Sequence, residues 1–161
     1  MQSNKGRDTR PELALRRAVH ALGLRYRVCT RPLPGVGTAD LVFTRARLAV
    51  FLDGCFWHGC PTHHTVAKTN SDFWARKLRI NRENDQKTNR LLQEAGWGVL
   101  RIWEHEDPGE AARLVQEAYR HRFESAHDTQ GLSDSADHQR SGGLVGSDRE
   151  RGEARTYDVD A

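Results

Sequence analysis

The sequence predicts an α/β fold, a small mixed sheet flanked by helices, and three observations carry that expectation. The short apolar runs "ADLVF" and "RLAVFLD" lack strict alternation and read as strands buried on both faces. Longer segments with apolar residues three and four apart read as helices. The two kinds alternate as helix, strands, helix, strand, helix, which suits helices packed on a sheet, with α+β grouping as the alternative.

Each element has a local reason. "DTRPELALRRAVHALG" spaces Leu13, Ala14, Arg17, Ala18, Ala21 and Leu22 by three and four and is closed by Gly23. Thr9 and Glu12 in "TRPE" form a Thr-x-x-Glu capping box, a sufficient structural explanation for Glu12. "LRYRVCT" alternates as a short strand, and "RPLPGVGT" turns the chain into the two buried strands. A long helix runs from Ser71 to about Ala95, capped by Ser71 or Asp72 and ended at Gly96. "WGVLRIW" is a third core strand, and "DPGEAARLVQEAYRHRF" a closing helix with Pro108 in its first turn.

The chain has 161 residues and a mean hydropathy of −0.77, low for a compact globule. Residues 124–161 show no apolar periodicity and are rich in Ser, Gly, Asp and Arg, so a disordered tail is expected after a domain over 1–123. Charge divides the same way. Residues 1–123 carry 21 Lys and Arg against 13 Asp and Glu, a net +8; the tail carries 4 against 9. A net positive domain of this size points to a polyanionic partner, most often nucleic acid. No apolar run approaches the roughly 20 residues needed to cross a bilayer. The start "MQSNKGRDTR" lacks a signal-peptide segment, so a cytoplasmic protein is expected. Three cysteines in that reducing setting read as thiols or metal ligands.

"FLDGCFWHGCPTHH" concentrates the chemistry. Cys55-x4-Cys60-x2-His63 has the spacing of half a structural zinc site, with His64 the local alternative to His63. His105, after the strand "VLRIWE", is the best fourth ligand if that strand neighbours "AVFLDGC". His58 is left over beside Phe56 and Trp57, as a general base or as a solvated loop histidine. Asp40 opens one apolar strand and Asp53 ends the next, a pairing suited to magnesium and phosphodiester chemistry; capping of the turn after Thr38 is the alternative for Asp40. Asp85 interrupts the apolar row Leu78–Asp85–Leu92, where it could orient His58 or pair with Arg82 or Lys77.

Taken together, "RDTRPELALRRAVHALGLRYRV", "GTADLVF", "AVFLDGCFWHGCP" and "FWARKLRINRENDQKTNRLLQEAGWGVLRIWE" resemble the very short patch repair (Vsr) endonuclease family, from about residue 7 to residue 122. The resemblance implies a restriction-endonuclease-like fold with a structural zinc. It also implies nicking of DNA 5′ to the thymine of a T:G mismatch left by deamination of 5-methylcytosine. Asp40 then resembles the magnesium-binding aspartate, His58 the catalytic histidine, Asp85 its supporting carboxylate and Glu12 the N-terminal glutamate near the site. Phe56, Trp57 and Trp74 resemble the aromatics that wedge beside the mismatch, with core packing the alternative for Trp74. Cys55, Cys60, His63 and His105 resemble the zinc ligands. Mismatch-repair proteins are the partners implied, and a monomer suffices for a nicking enzyme. The family's DNA-gripping N-terminal segment is short here, since only "MQSNKG" precedes "RDTRPE". A non-catalytic zinc-containing module that binds distorted duplex is the competing reading.

Overall fold

A computed structural model describes residues 7–63 and 70–131, with side chains to residue 125. The elements are α1 (Arg10–Ala21), β1 (Arg27–Thr30), β2 (Ala39–Phe43), β3 (Leu48–Asp53), α2 (Cys55–His58), α3 (Ser71–Glu94), β4 (Gly98–Trp103) and α4 (Pro108–Gly131). The strands form one sheet in the order β1-β2-β3-β4. β1, β2 and β3 pair antiparallel, and β4 joins β3 in parallel after the α3 crossover, with Asp53 opposite Trp103.

The apolar runs behave as sheet interior. One face of the sheet presents Leu41, Phe43, Leu48, Val50 and Ile102 to Leu15 and Val19 of α1 and to Ala111, Ala112 and Val115 of α4. The other face presents Ala39, Val42, Ala49 and Phe51 to Val36 and to Leu92 of α3. Helices therefore cover both faces, which is why β2 and β3 carry apolar side chains in both directions.

Several local expectations are corrected. In α1 the inward pair is Leu15 and Val19, four apart, whereas Leu13 and Leu22 stay exposed. The smaller residues of the expected stripe leave the deepest positions to these two. Thr9 is the N-cap but its side chain makes no capping bond; Glu12 Oε2 instead accepts from the Asp8 N–H at 2.8 Å and from Arg16 Nη2 at 3.0 Å. The cap of α3 is Asn70 in a left-handed conformation (φ 56°), one residue before the expected Ser71. α4 opens with the Asp107 carboxylate accepting from the Gly109 and Glu110 N–H groups. Its backbone stays helical to Gly131, and residues 132–161 of the expected tail lie outside the described residues. Among the described residues no helix is long and apolar enough to cross a membrane.

Candidate active site and metal centre

The parallel pairing of β3 and β4 brings two chain exits to the same end of the sheet. β3 runs into the single turn of α2, and β4 runs into Glu104 and His105. Glu104 ties the two together, since its N–H donates to the Asp53 carbonyl at 3.0 Å and its Oε1 accepts from the Cys55 N–H at 2.7 Å.

Asp40, at the same end of β2, is half-buried, and its Oδ2 accepts from the Leu52 N–H at 2.7 Å. Burial raises its pKa; the Leu52 bond opposes that, the charge of Glu12 adds to it, Arg16 opposes and Asp53 adds. Among the described residues no cation forms an ion pair with Asp40. A half-buried carboxylate with acidic neighbours and no paired cation suits a divalent metal ligand. Glu12, whose charge acts on Asp40, is itself paired with Arg16 at 3.0 Å.

His58 is the last residue of α2, and its Nδ1 lies 2.6 Å from Asp85 Oδ2 and 3.9 Å from Asp53 Oδ1. Burial lowers its pKa, but the hydrogen bond to Asp85 and the charges of Asp53 and Asp85 outweigh burial and the opposing Arg101, so the net shift is upward. A carboxylate can only accept, so Nδ1 carries the proton and Nε2 is left as the basic nitrogen. The backbone around His58 is pinned by α3. Asn81 donates to the Trp57 carbonyl at 2.8 Å and Arg82 to the Gly59 carbonyl at 3.2 Å. Gly59 ends α2 at φ 67°, and a Cβ there would sit 2.8 Å from Arg82 Nη2 and 2.9 Å from a Leu78 methyl.

Asp53 pairs with Arg101. It is only 7% exposed, and both of its oxygens accept from Arg101 Nη1, at 2.7 and 2.9 Å. Arg101 Nη2 reaches Asp85 Oδ1 at 3.0 Å, so the partner of Asp85 besides His58 is Arg101, neither Arg82 nor Lys77. Sequence reading missed Arg101, although an arginine inside "VLRIW" carries the same signal as Asp40 in its strand. Arg16 was likewise passed over.

Cys55, Cys60, His63 and His105 offer four ligand atoms within 4.8 Å of one another. Cys55 Sγ is 3.1 Å from His105 Nδ1, while Cys60 Sγ is 3.7 Å from His105 Nδ1 and 3.8 Å from His63 Nδ1. Two thiols and two imidazoles at these separations are a donor set whose chemistry suits a tetrahedral ion such as zinc, which sets its ligands roughly 3.3–3.8 Å apart. Burial, with the neighbouring Cys60 and Glu104, pushes the Cys55 thiol up to about 11. At Cys60 burial is outweighed by hydrogen bonds from Thr62 and His63, which bring the thiol down to about 6. Cys29 stands apart, 3.4 Å from Arg16 Nη2, and His64 lies outside the described residues.

Beside the Cys/His group lies an aromatic cluster. Trp74 packs edge-on against Phe56, Trp57 and Phe73, with centroids 5.1, 5.7 and 5.3 Å away. Trp57 is 39% and Phe73 58% exposed, so aromatic surface faces solvent next to His58. Phe73 belongs to this surface although only Phe56, Trp57 and Trp74 were expected there.

The family model described as DNA mismatch endonuclease Vsr matches residues 1–66. The chain is similar to type II nicking enzyme V.NaeI of Lentzea aerocolonigenes, 46% identical over 132 residues that span 80% of this chain and 79% of that protein. It is similar to type II nicking enzyme V.NmeDIP of Neisseria meningitidis serogroup C, 40% identical over 138 residues, 83% of this chain and 87% of that one. With the DNA mismatch endonuclease Vsr of Escherichia coli it shares 36% identity over 143 residues, 86% of this chain and 88% of the other.

Proposed function

Because the chain belongs to the Vsr family of DNA mismatch endonucleases, we propose that it nicks one strand of duplex DNA beside a T:G mismatch, in repair of deaminated 5-methylcytosine. The observation that carries the reading is the His58–Asp85 contact of 2.6 Å at the sheet end that also holds Asp40. A histidine oriented through Nδ1 by a carboxylate is built to take a proton at Nε2, and a module that only binds DNA has no need of it. The sheet covered on both faces supports the restriction-endonuclease-like architecture implied by the family.

His58 Nε2 accepts a proton from water as its oxygen attacks the phosphorus. The P–O3′ bond breaks, the 3′ oxygen takes a proton from solvent, and a 5′-phosphate and a 3′-hydroxyl remain. Asp85 stabilises the imidazolium formed on His58. Asp40 would hold magnesium, which when bound neutralises phosphate charge. Cys55, Cys60, His63 and His105 would hold zinc, whose role is structural: it fixes the segment that carries Phe56, Trp57 and His58. Phe56, Trp57 and Trp74, with Phe73, would enter the duplex at the mismatch, where a step is cheapest to open.

The test is strand-specific cleavage of end-labelled duplexes carrying T:G or C:G, with and without magnesium. Nicking confined to the mismatched thymine strand is expected. Mismatch binding with no cleavage under any divalent ion would sink the enzymatic reading and leave the DNA-binding module.

A further inference from the structure

Arg101 is the most heavily bonded charged side chain near the site. It leaves β4 opposite Phe51, and its guanidinium lies over the Phe51 ring, 4.7 Å from the centroid. Nε donates to Asn89 Oδ1 at 3.1 Å, Nη1 to both oxygens of Asp53, and Nη2 to Asp85 Oδ1. Strand, ring and helix thus fix the guanidinium plane from three directions.

That plane decides what its two carboxylates can do. Asp85 has one oxygen on Arg101 and the other on His58, so the arginine sets which oxygen faces the imidazole. Asp53 has both oxygens on Nη1 and stands 3.9 Å from His58. Without the cation, two carboxylates would crowd one histidine, and Asp85 would be free to rotate.

We infer that Arg101 is the positioning residue of the nicking site: it locks Asp85, and through it the tautomer and aim of His58, and it uses Asp53 as its anchor rather than leaving that carboxylate for a metal. The inference rests on the reading of His58 as the base. A planar fork is required, because one charge must span two carboxylates on different elements. Lysine offers a point charge that serves one of them.

The test compares wild type with R101Q, R101K, D85N, the D85N/R101Q double variant and H58A, using T:G duplex and magnesium at saturating enzyme. R101Q is expected to slow the single-turnover nicking rate by about tenfold to a hundredfold, as loss of a supporting partner does elsewhere. Its duplex Kd should stay within about twofold of wild type, and in the D85N background R101Q should slow the rate by no more than about twofold further. The downfield Nδ1 proton of His58, seen by NMR in the wild-type protein, should disappear in R101Q. An unchanged rate, a full multiplicative loss on top of D85N, or an unchanged His58 resonance overturns the inference. Should R101Q lose its cooperative thermal transition, R101K decides: partial loss of rate with the fold kept supports the role, and a wild-type rate overturns it. H58A separates the two levels. Wild-type nicking by H58A removes the base assignment itself, whereas a dead H58A beside a fully active R101Q removes only the role of Arg101.

Discussion

His58 Nδ1 and Asp85 Oδ2 meet at 2.6 Å across 27 positions of sequence, joining the end of α2 to the middle of α3. The contact gives His58 one defined tautomer and leaves Nε2 as its basic nitrogen. His58→Ala should therefore lower the nicking rate by about a hundredfold to ten-thousandfold. Zinc content and mismatch binding should remain near wild type, checked by metal analysis and fluorescence anisotropy. Loss of fold in this variant would make His58 a structural residue.

Asp40 is ionised at a cost. Its pKa is raised, chiefly by burial, so the folded protein loses stability as pH rises from the unfolded carboxyl value through the folded one. Asp40→Asn keeps an acceptor for the Leu52 N–H and removes the charge. In the absence of divalent ions its Tm at neutral pH should exceed that of wild type, and the difference should vanish at low pH. Magnesium-dependent nicking should be lost at the same time.

Cys60 is wholly buried at the centre of the four-ligand group. Cys60→Ala should abolish stoichiometric zinc and lower the Tm of the whole domain, because metal affinity at such sites is folding free energy. Zinc content unchanged in the variant would remove Cys60 from the ligand set.

Trp57 and Phe73 are exposed, so truncating them removes little core. Trp57→Ala and Phe73→Ala should each weaken mismatched-duplex binding by about 1–3 kcal/mol, the worth of one base stacked on an aromatic ring. Thermal stability should change little. Equal loss on matched duplex would show that the cluster grips DNA without sensing the mismatch.

Gly59 occupies left-handed backbone space and sits against Leu78 and Arg82. Gly59→Ala should cost about 1–3 kcal/mol from backbone strain alone. Because Gly59 directly follows His58, nicking should fall by more than the melting temperature alone predicts.

Much of this was legible where a residue contradicts its context. Asp40 in an apolar strand and Asp85 in an apolar helical row both flagged themselves; Asp85 meets His58, and Asp40 accepts from the Leu52 N–H near the end of β3. The strands were equally plain, because runs such as "ADLVF" leave no polar face to solvate. Arg101 carried the same contradiction, yet its meaning depends on which residues lie diagonally across β3 and on α3, and that is a matter of register. The face of α1 was misread for a related reason, since spacing by three and four fits more than one stripe until a packing partner chooses. Asn70 in a left-handed cap and Glu12 bonded to Asp8 are local choices among near-equal hydrogen bonds, and sequence ranks those poorly.

The parallel pairing of β3 with β4 has a consequence for the order in which the molecule assembles. Cys60 and His105 are 45 residues apart and meet at 3.7 Å only once the chain has laid down α3 and returned beside β3. Closing a loop of that length costs entropy that no local contact repays. The four-ligand group is thus incomplete until the longest crossover in the sheet has closed, and its completion cross-links the two ends of that crossover. Four-ligand coordination of an ion there would therefore follow closure of that crossover rather than precede it.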